Sequence, residues 1–354
     1  MDSAQRPFEK SLISLVRIGI TYNLKSDLPI SSSVSVPEDA AEEFDHPETI
    51  EAIQEVLSKE GHEVHLLGGD LRVVEKIKEF GIEFVFNIAE GFQGRNREAH
   101  IPALLELLGI PYSGSDPLGL ALTLDKALAK RIALSLWILT PKFWVLDELR
   151  SLCEIPDQFP FFVKPLWEGS SKGIRFSSRV ENREQLEKEV KRLFDNYTRV
   201  PVLVEEYIPG RELTVAVIGN EPPEIFGIME LEFKNQKNKD FCYSLEVKRS
   251  WQDTVAYQFP AAISREAAQI LERHALDLFK TFRLRDMARF DFRMNPDGKF
   301  YFLEVNPLPG LSPDSGDFVI LAKKKGVSYS VLISRIFQTA LGRYPSLFQA
   351  NKQV

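Results

Sequence analysis

Within Met287-Ala288-Arg289-Phe290-Asp291-Phe292-Arg293 polar and apolar residues alternate from Arg289 onward, and within Phe302-Leu303-Glu304-Val305-Asn306-Pro307 they alternate from Leu303 onward. A period of 2 puts Arg289, Asp291 and Arg293 on one face of a strand, and Glu304 and Asn306 on one face of another. Asn295-Pro296-Asp297-Gly298 between them is a turn signal, so the pair reads as a β-hairpin. An acid from each strand, an amide and an arginine on one face suit Mg²⁺, which takes oxygen ligands and is usually shared with phosphates. The same alternation also describes any antiparallel hairpin with one face in water.

Upstream, Leu15 to Tyr22 is an apolar strand that runs into a polar loop from Asn23 to Pro47. Structureless connections beyond about 15 residues are uncommon in compact domains, which marks this one as functional or mobile. Ile50, Ile53, Val56 and Leu57 then recur at helical spacing, and Gly61 stops the helix. Val64–Leu67 reads as a strand, Leu71–Phe80 as a helix and Ile82–Asn87 as a strand; such alternation predicts a parallel sheet. Ligands of open α/β sheets sit beyond the carboxyl ends of the strands, so the loops after Thr21 and Asn87 are candidate substrate walls. The second is the Gly-rich run Glu90–Glu98. His62 and His65 lack ligand-spaced partners and predict no metal site.

Further helices are expected over Ile101–Leu108, capped by Gly109, and Leu120–Leu136. Phe159–Pro165 is a buried strand ending in Lys164, followed at once by Glu168-Gly169-Ser170-Ser171-Lys172-Gly173-Ile174. Small residues in such a turn let backbone N–H groups close on phosphate oxygens, although an ordinary surface turn has the same composition. The order is not that of a Walker A loop. Glu181–Phe194 reads as a charged helix, Pro201–Ile218 as two strands around a polar connector, and Leu245–Arg249 as a basic strand end after a polar loop at Asn235–Asp240. The connector offers an apolar slot with a carboxylate, as a purine nucleoside requires. Helices over Arg265–Phe282, Val319–Lys325 and Tyr329–Leu341 complete the pattern.

With 354 residues, 44% of them hydrophobic, the chain can bury a core large enough for two or three units. A net charge of -7 argues against a nucleic-acid partner, which needs a basic surface. The two cysteines, Cys153 and Cys242, are widely separated and read as free thiols in a reducing compartment. No apolar run reaches the ~20 residues of a membrane span, and the N-terminus lacks a signal-peptide core; the expectation is a cytoplasmic protein with no membrane partner.

Taken in order, the motifs resemble the ATP-grasp superfamily and, within it, the D-alanine–D-alanine ligase group. They are the run Leu107 to Ser115, Leu124-Asp125-Lys126, Val163-Lys164-Pro165 with Glu168-Gly169-Ser170-Ser171, Glu205-Glu206-Tyr207-Ile208 with Glu212, Arg289-Phe290-Asp291, and Glu304-Val305-Asn306 with Pro309-Gly310. The resemblance implies an α/β (α+β) ATP-grasp fold with an N-terminal parallel Rossmann-like domain. Its units would be residues 1–117, an N-terminal substrate domain; 118–210, a central subdomain; and 211–354, a C-terminal subdomain carrying the metal. It further implies that Lys126, Lys164 and Lys248 contact ATP phosphates under the Ser170-Ser171 loop. Glu205, Glu206, Tyr207 and Ile208 would line the adenine, and Glu212 would hold the ribose. Asp291, Glu304 and Asn306 would bind Mg²⁺, two ions with Mn²⁺ as a substitute. Arg289 would steady the reacting groups, with Ser170 at the reacting end, and Ser315 and Gly316 would hold the second substrate's carboxylate. The implied reaction activates a carboxylate as an acyl phosphate, which an amine then attacks; small amino acids or short peptides are the substrates, and a homodimer is the implied assembly. An inactive ATP-binding module of the same fold is the alternative, and the complete metal set argues against it. A biotin-type carboxylase lacks its carrier segment here.

The N-terminal region departs from the family. The loop Thr21–Asp27 lacks the glutamate that binds the first amino acid's amine, and the loop Glu90–Glu98 is longer than the usual histidine-glycine version. Arg249 stands where the family has a tyrosine after the phosphate-contacting lysine. It could meet an extra substrate carboxylate, or pair with Glu246 or Asp253. The first substrate is therefore expected to differ.

Overall fold

In a computed structural model of the chain, residues 15–27, 37–92, 94–198, 200–234 and 244–348 are described. Strands β1 (Arg17–Thr21), β2 (Glu63–Leu66) and β3 (Phe84–Asn87) form a parallel sheet in the order β2-β1-β3. Helices Pro47–Lys59 and Val73–Phe80 make the crossovers, as the β/α alternation predicts. Strands β4 (Phe143–Leu146), β5 (Phe161–Pro165), β6 (Arg179–Val180) and β7 (Val202–Glu206) form an antiparallel sheet in the order β4-β7-β5-β6, backed by the helix Arg183–Asn196. Strands β8 (Arg211–Ile218), β9 (Glu224–Phe233), β10 (Val255–Gln258), β11 (Met287–Met294) and β12 (Phe300–Asn306) form the third sheet, β10-β9-β8-β11-β12.

The hairpin read from the alternation is β11–β12. Arg289 faces Asn306 across it and Asp291 faces Glu304, with a bulge between Asp291 and Phe292. Phe290, Phe292 and Phe302 point the other way into a core shared with the helix Arg265–Thr281. Gly298 closes the turn at φ 79°, a left-handed conformation that other residues adopt only at a cost.

Two expected elements differ. The helix expected over Leu120–Leu136 is two helices, Pro117–Leu124 and Lys126–Ser135. Asp125 between them is extended, and its carboxylate accepts from Leu128 N at 3.0 Å, so it caps the second helix and breaks the first. Leu245–Arg249, expected as a strand end, is a short helix because Ser244 caps it through Val247 N. The Asn235–Asp240 loop and Cys242 lie outside the described residues; Cys153 is a free, exposed thiol.

The N-terminal and C-terminal sheets share one core, in which Phe84 packs edge-on against Phe337 of the helix Tyr329–Leu341. A polar knot reinforces this joint. Asp286, fully buried and left-handed at φ 66°, accepts from Gly114 N (2.7 Å), Asn220 Nδ2 (2.9 Å) and the Arg343 guanidinium (2.8 and 2.9 Å). Three distant stretches of chain are thus fastened by one carboxylate whose lone pairs are used. Among the described residues no helix is long and apolar enough to cross a membrane.

Candidate functional site

A cavity of about 510 Å³ opens between the four- and five-stranded sheets and the N-terminal unit. The hairpin supplies its floor. Arg289 grips Asp291 through Nε (3.1 Å) and Nη2 (2.9 Å) to Oδ2, and Thr214 Oγ1 donates to Asp291 Oδ1 at 2.8 Å. The remaining Arg289 nitrogen reaches Asp317 at 3.1 Å. Burial and the Glu304 charge raise the Asp291 pKa despite Arg289. Glu304 behaves oppositely: burial opposes its charge, but Lys126 and Lys164 outweigh it and bring its pKa down to about 2. Their Nζ atoms lie 3.6 and 3.8 Å from Glu304 Oε2. Asn306 Oδ1 accepts from Leu308 N at 2.9 Å and keeps a second lone pair. Asp291, Glu304 and Asn306 line the cavity together, an oxygen-donor set that suits Mg²⁺.

The lysines belong to a larger buried network. Glu205 Oε1 is 2.7 Å from Lys130 Nζ and its Oε2 is 3.0 Å from Lys164 Nζ, with all three side chains buried. Burial brings the Lys130 pKa down to about 8, against the pull of Glu205. The Glu205 carboxylate is therefore committed to lysines rather than to a base. Lys130 was missed in the sequence, where its spacing of i+4 from Lys126 on an otherwise alanine-rich buried face was the available signal. The neighbouring Tyr207 ring lies between the guanidiniums of Arg179 and Arg293, 4.4 and 5.1 Å from its centroid. Glu212 pairs with Arg293 at 3.6 Å, and burial still raises its pKa to about 7. Glu206, Ile208 and Glu212 line the same end of the cavity as Tyr207.

Ser170 and Ser171 both adopt left-handed backbone, at φ 50° and 60°. Such conformations cost a non-glycine residue about 1–2 kcal/mol each, so something must hold the loop. The holder is a segment the sequence reading left unassigned, residues 37–46. Glu43 Oε1 accepts from Gly169 N (2.6 Å) and Arg97 Nη2 (2.8 Å), its Oε2 from Lys172 Nζ (2.8 Å). Asp39 accepts from Gly173 N at 2.9 Å and from the Tyr197 hydroxyl at 2.5 Å. Burial opposes the charge on Glu43, yet Arg97 and Lys172 overcome it and hold its carboxyl well below the usual range. Lys126 Nζ and Lys248 Nζ donate to the backbone oxygens of Glu168 (2.5 Å) and Ser170 (3.3 Å), which draws both lysines to this loop. Burial lowers the Lys248 pKa.

Arg249 meets neither Glu246 nor Asp253. It grips Glu42 at 2.7 and 3.0 Å and Glu38 at 3.1 Å, both in the 37–46 segment. The expectation of an internal pairing on its own element fails because the helix at Leu245–Arg249 turns the guanidinium toward that segment. The same segment supplies Glu42, Glu43 and Asp45 to the cavity wall, so acids are present there although the Thr21–Asp27 loop has none in the family position. At the opposite wall are Ser315, whose hydroxyl donates to Ser312 Oγ at 3.1 Å, and Gly316. A Cβ on Gly316 would lie 2.2 Å from Gly310 O, so only glycine fits.

Known proteins resemble this chain in sequence and fold. The family model for the D-ala D-ala ligase C-terminus matches residues 137–338. The D-alanine–D-alanine ligase of Aquifex aeolicus is 33% identical over 81% of this chain and 93% of its own length. An uncharacterized protein of Sinorhizobium fredii, y4sG, is 34% identical over 83% and 88%. Among solved structures, the D-alanine–D-alanine ligase of Bacillus anthracis complexed with ATP superposes with a TM-score of 0.67 at 24% identity, covering 92% of this chain and 97% of that one. The VanG D-Ala:D-Ser ligase of Enterococcus faecalis gives 0.68 at 20% identity, covering 92% and 99%. The chain belongs to the D-alanine–D-alanine ligase family of ATP-grasp enzymes.

Proposed function

We propose that the protein joins the carboxylate of one amino acid to the amine of another at the expense of ATP, through an acyl phosphate, and that its first-substrate site differs from that of D-alanine–D-alanine ligases. The observation that carries the reading is the meeting of Lys126 and Lys164 with Glu304, opposite Asp291 and beside Arg289, in one cavity. A carboxylate is a poor acyl donor because its leaving group would be oxide; transfer of a phosphoryl group makes it a good one. The protein's task in such a transfer is positioning and charge neutralisation. Lys126, Lys164 and Lys248 would bind the phosphates, and the Ser170-Ser171 loop would close over them. Asp291, Glu304 and Asn306 would hold Mg²⁺, one or two ions with Mn²⁺ as a substitute, and the metal would supply the charge neutralisation that side chains leave incomplete. Arg289, locked by Asp291 and Asp317, would face the oxygen on which negative charge develops. Ser315 and the backbone at Gly316 would hold the second substrate's carboxylate at the start of the helix Asp317–Lys324.

Support for an altered first site comes from the segment 37–46 and its pairing with Arg249. The test is ADP release by the purified protein with ATP, Mg²⁺ and a panel of amino acids, with products weighed by mass spectrometry. Robust turnover that depends on D-alanine and yields D-alanyl-D-alanine would overturn the altered site. ATP binding without turnover across the whole panel would instead identify a nucleotide-binding module.

A further inference from the structure

The N-terminal end of the cavity carries acids that form no close ion pair among the described residues. Glu43 and Glu168 form a closed quartet with Arg97 and Lys172: Arg97 lies 2.8 Å from Glu43 and 3.6 Å from Glu168, and Lys172 contacts both acids. Two positive charges there balance two negative ones. Glu90, Glu98 and Asp45 stand outside the quartet. Among the described residues none of the three side chains forms an ion pair or hydrogen bond; the bonds of Asp45 are made by its backbone. Glu98 is only 8% exposed. It faces a recess of about 50 Å³, also lined by Glu90, Lys126, Arg289 and Asn306, that adjoins the main cavity. Glu90 and Asp45 line the main cavity itself, where Lys25 is the nearby cation.

Burial raises all three pKa values, those of Asp45 and Glu98 to about 7. Glu98, Glu43 and Asp45 each add to the rise at Glu90, which places the acids within electrostatic reach of one another. An unpaired buried carboxyl is costly, and it persists where a ligand completes it. A single α-ammonium could satisfy one such acid. Lys126 and Arg289, which also line the recess, are committed to Glu304 and to Asp291 and Asp317. Glu90 and Glu98 in the recess, with Asp45 in the adjoining cavity, therefore call for more positive charge than an amino acid with a neutral side chain brings.

We infer that the recess lined by Glu98 and Glu90, beside the cavity wall that carries Asp45, receives the side-chain cation of a basic amino acid, so that the first substrate carries an ammonium or guanidinium beyond its α-amine. The inference rests on the ligase reading for which substrate is activated, and on the recess alone for what it binds. Both are separable in one set of measurements. The full-length protein, with Mg²⁺ and a non-hydrolysable ATP analogue, is titrated calorimetrically with ornithine, lysine and arginine, and with alanine, in both chiral forms. At least one basic amino acid is expected to bind tenfold or more tightly than alanine of the same hand. The double variant E90Q/E98Q should bring it to the alanine level. Equal or tighter binding of alanine, or basic-ligand binding indifferent to the double variant, overturns the inference. Parallel ADP-release assays with hydrolysable ATP test the ligase reading: glutamate-dependent binding without ADP release with any amine sinks that reading and leaves the recess intact. Thermal melting guards against misfolding. Removing buried Glu98 and half-buried Glu90, both without a close partner, should leave the Tm unchanged or raise it, and a large fall would show that Glu90 and Glu98 have protein partners, which also overturns the inference.

Discussion

The two ends of the cavity are built on opposite electrostatic terms. At the hairpin end the buried charges are paired: Asp291 with Arg289 on its own strand, Glu205 with Lys130 and Lys164, and Glu304 with Lys126. At the N-terminal end the quartet around Glu43 is closed, but Glu90, Glu98 and Asp45 are left over. Paired charges are poised for a ligand that brings both phosphates and their counterions. Unpaired ones wait for a ligand that brings a cation. The first end suits the chemistry common to the family, and the second suits the altered first-substrate site proposed above.

The sharpest way to break the comparison is at the hairpin. Asp291→Ala or Glu304→Ala should lower the rate of ADP release by about a thousandfold or more while far-ultraviolet circular dichroism stays native. Near-normal release by either variant would remove the metal assignment. Next in size is Lys130→Met, which strips Glu205 of one of its two partners. Breaking a buried pair from one side costs about 3–5 kcal/mol, and a urea titration should show that loss; an unchanged midpoint would mean that Lys164 alone suffices.

The leftover acids make a smaller, pH-dependent contribution. Asp45 and Glu98 bind protons more tightly in the folded protein than in the unfolded chain, with folded pKa values near 7. The stability they confer is complete below the carboxylate range of the unfolded chain and fades as pH rises through about 7. Each contributes up to about 1.4 kcal/mol of loss per pH unit within that window. Urea midpoints measured from pH 4 to 8 should fall more steeply for the natural chain than for Glu98→Gln; parallel curves would mean that Glu98 is already paired. Smallest of all is Arg249→Met. Its pairs with Glu38 and Glu42 are partly exposed, and such pairs are worth under about 1 kcal/mol. The Tm should barely move while KM for the first amino acid rises severalfold, and an unchanged KM would detach the 37–46 segment from substrate binding.

Legibility in the sequence follows the same divide. The period of 2 in Arg289–Arg293 and Glu304–Asn306 put the polar residues on one face, but the register set by the Asn295–Gly298 turn would bring Leu303 opposite Asp291; the bulge beside Phe292, which no sequence signal marks, shifts Glu304 into that place. The parallel N-terminal sheet was equally readable from its alternating elements. Lys130 hid in a helical face of alanines, and its charge is intelligible only beside Glu205, seventy-five positions away. Glu43 sits in an acidic run, Glu42-Glu43-Phe44-Asp45, where no spacing tells which acid turns inward. Its partners Arg97 and Lys172 lie 54 and 129 positions further along the chain. Arg249 shows a related limit: beside a substrate carboxylate, its sequence suggests only the chain neighbours Glu246 and Asp253 as partners, and the acids it meets lie more than two hundred residues upstream.

The knot at Asp286 has a kinetic consequence. It ties the N-terminal and C-terminal sheets together through buried bonds, whereas the four-stranded sheet is tied to the N-terminal unit chiefly through the 37–46 segment. Its outermost links, Arg249 with Glu42 and Glu38 and Arg175 with Glu38, are open to water. With a nucleotide held as proposed, its exchange would require the four-stranded sheet to lift away from the two-sheet frame. Ions in solution screen the outer links far more than the buried knot, so added salt is expected to raise the dissociation rate of the nucleotide without loosening that frame.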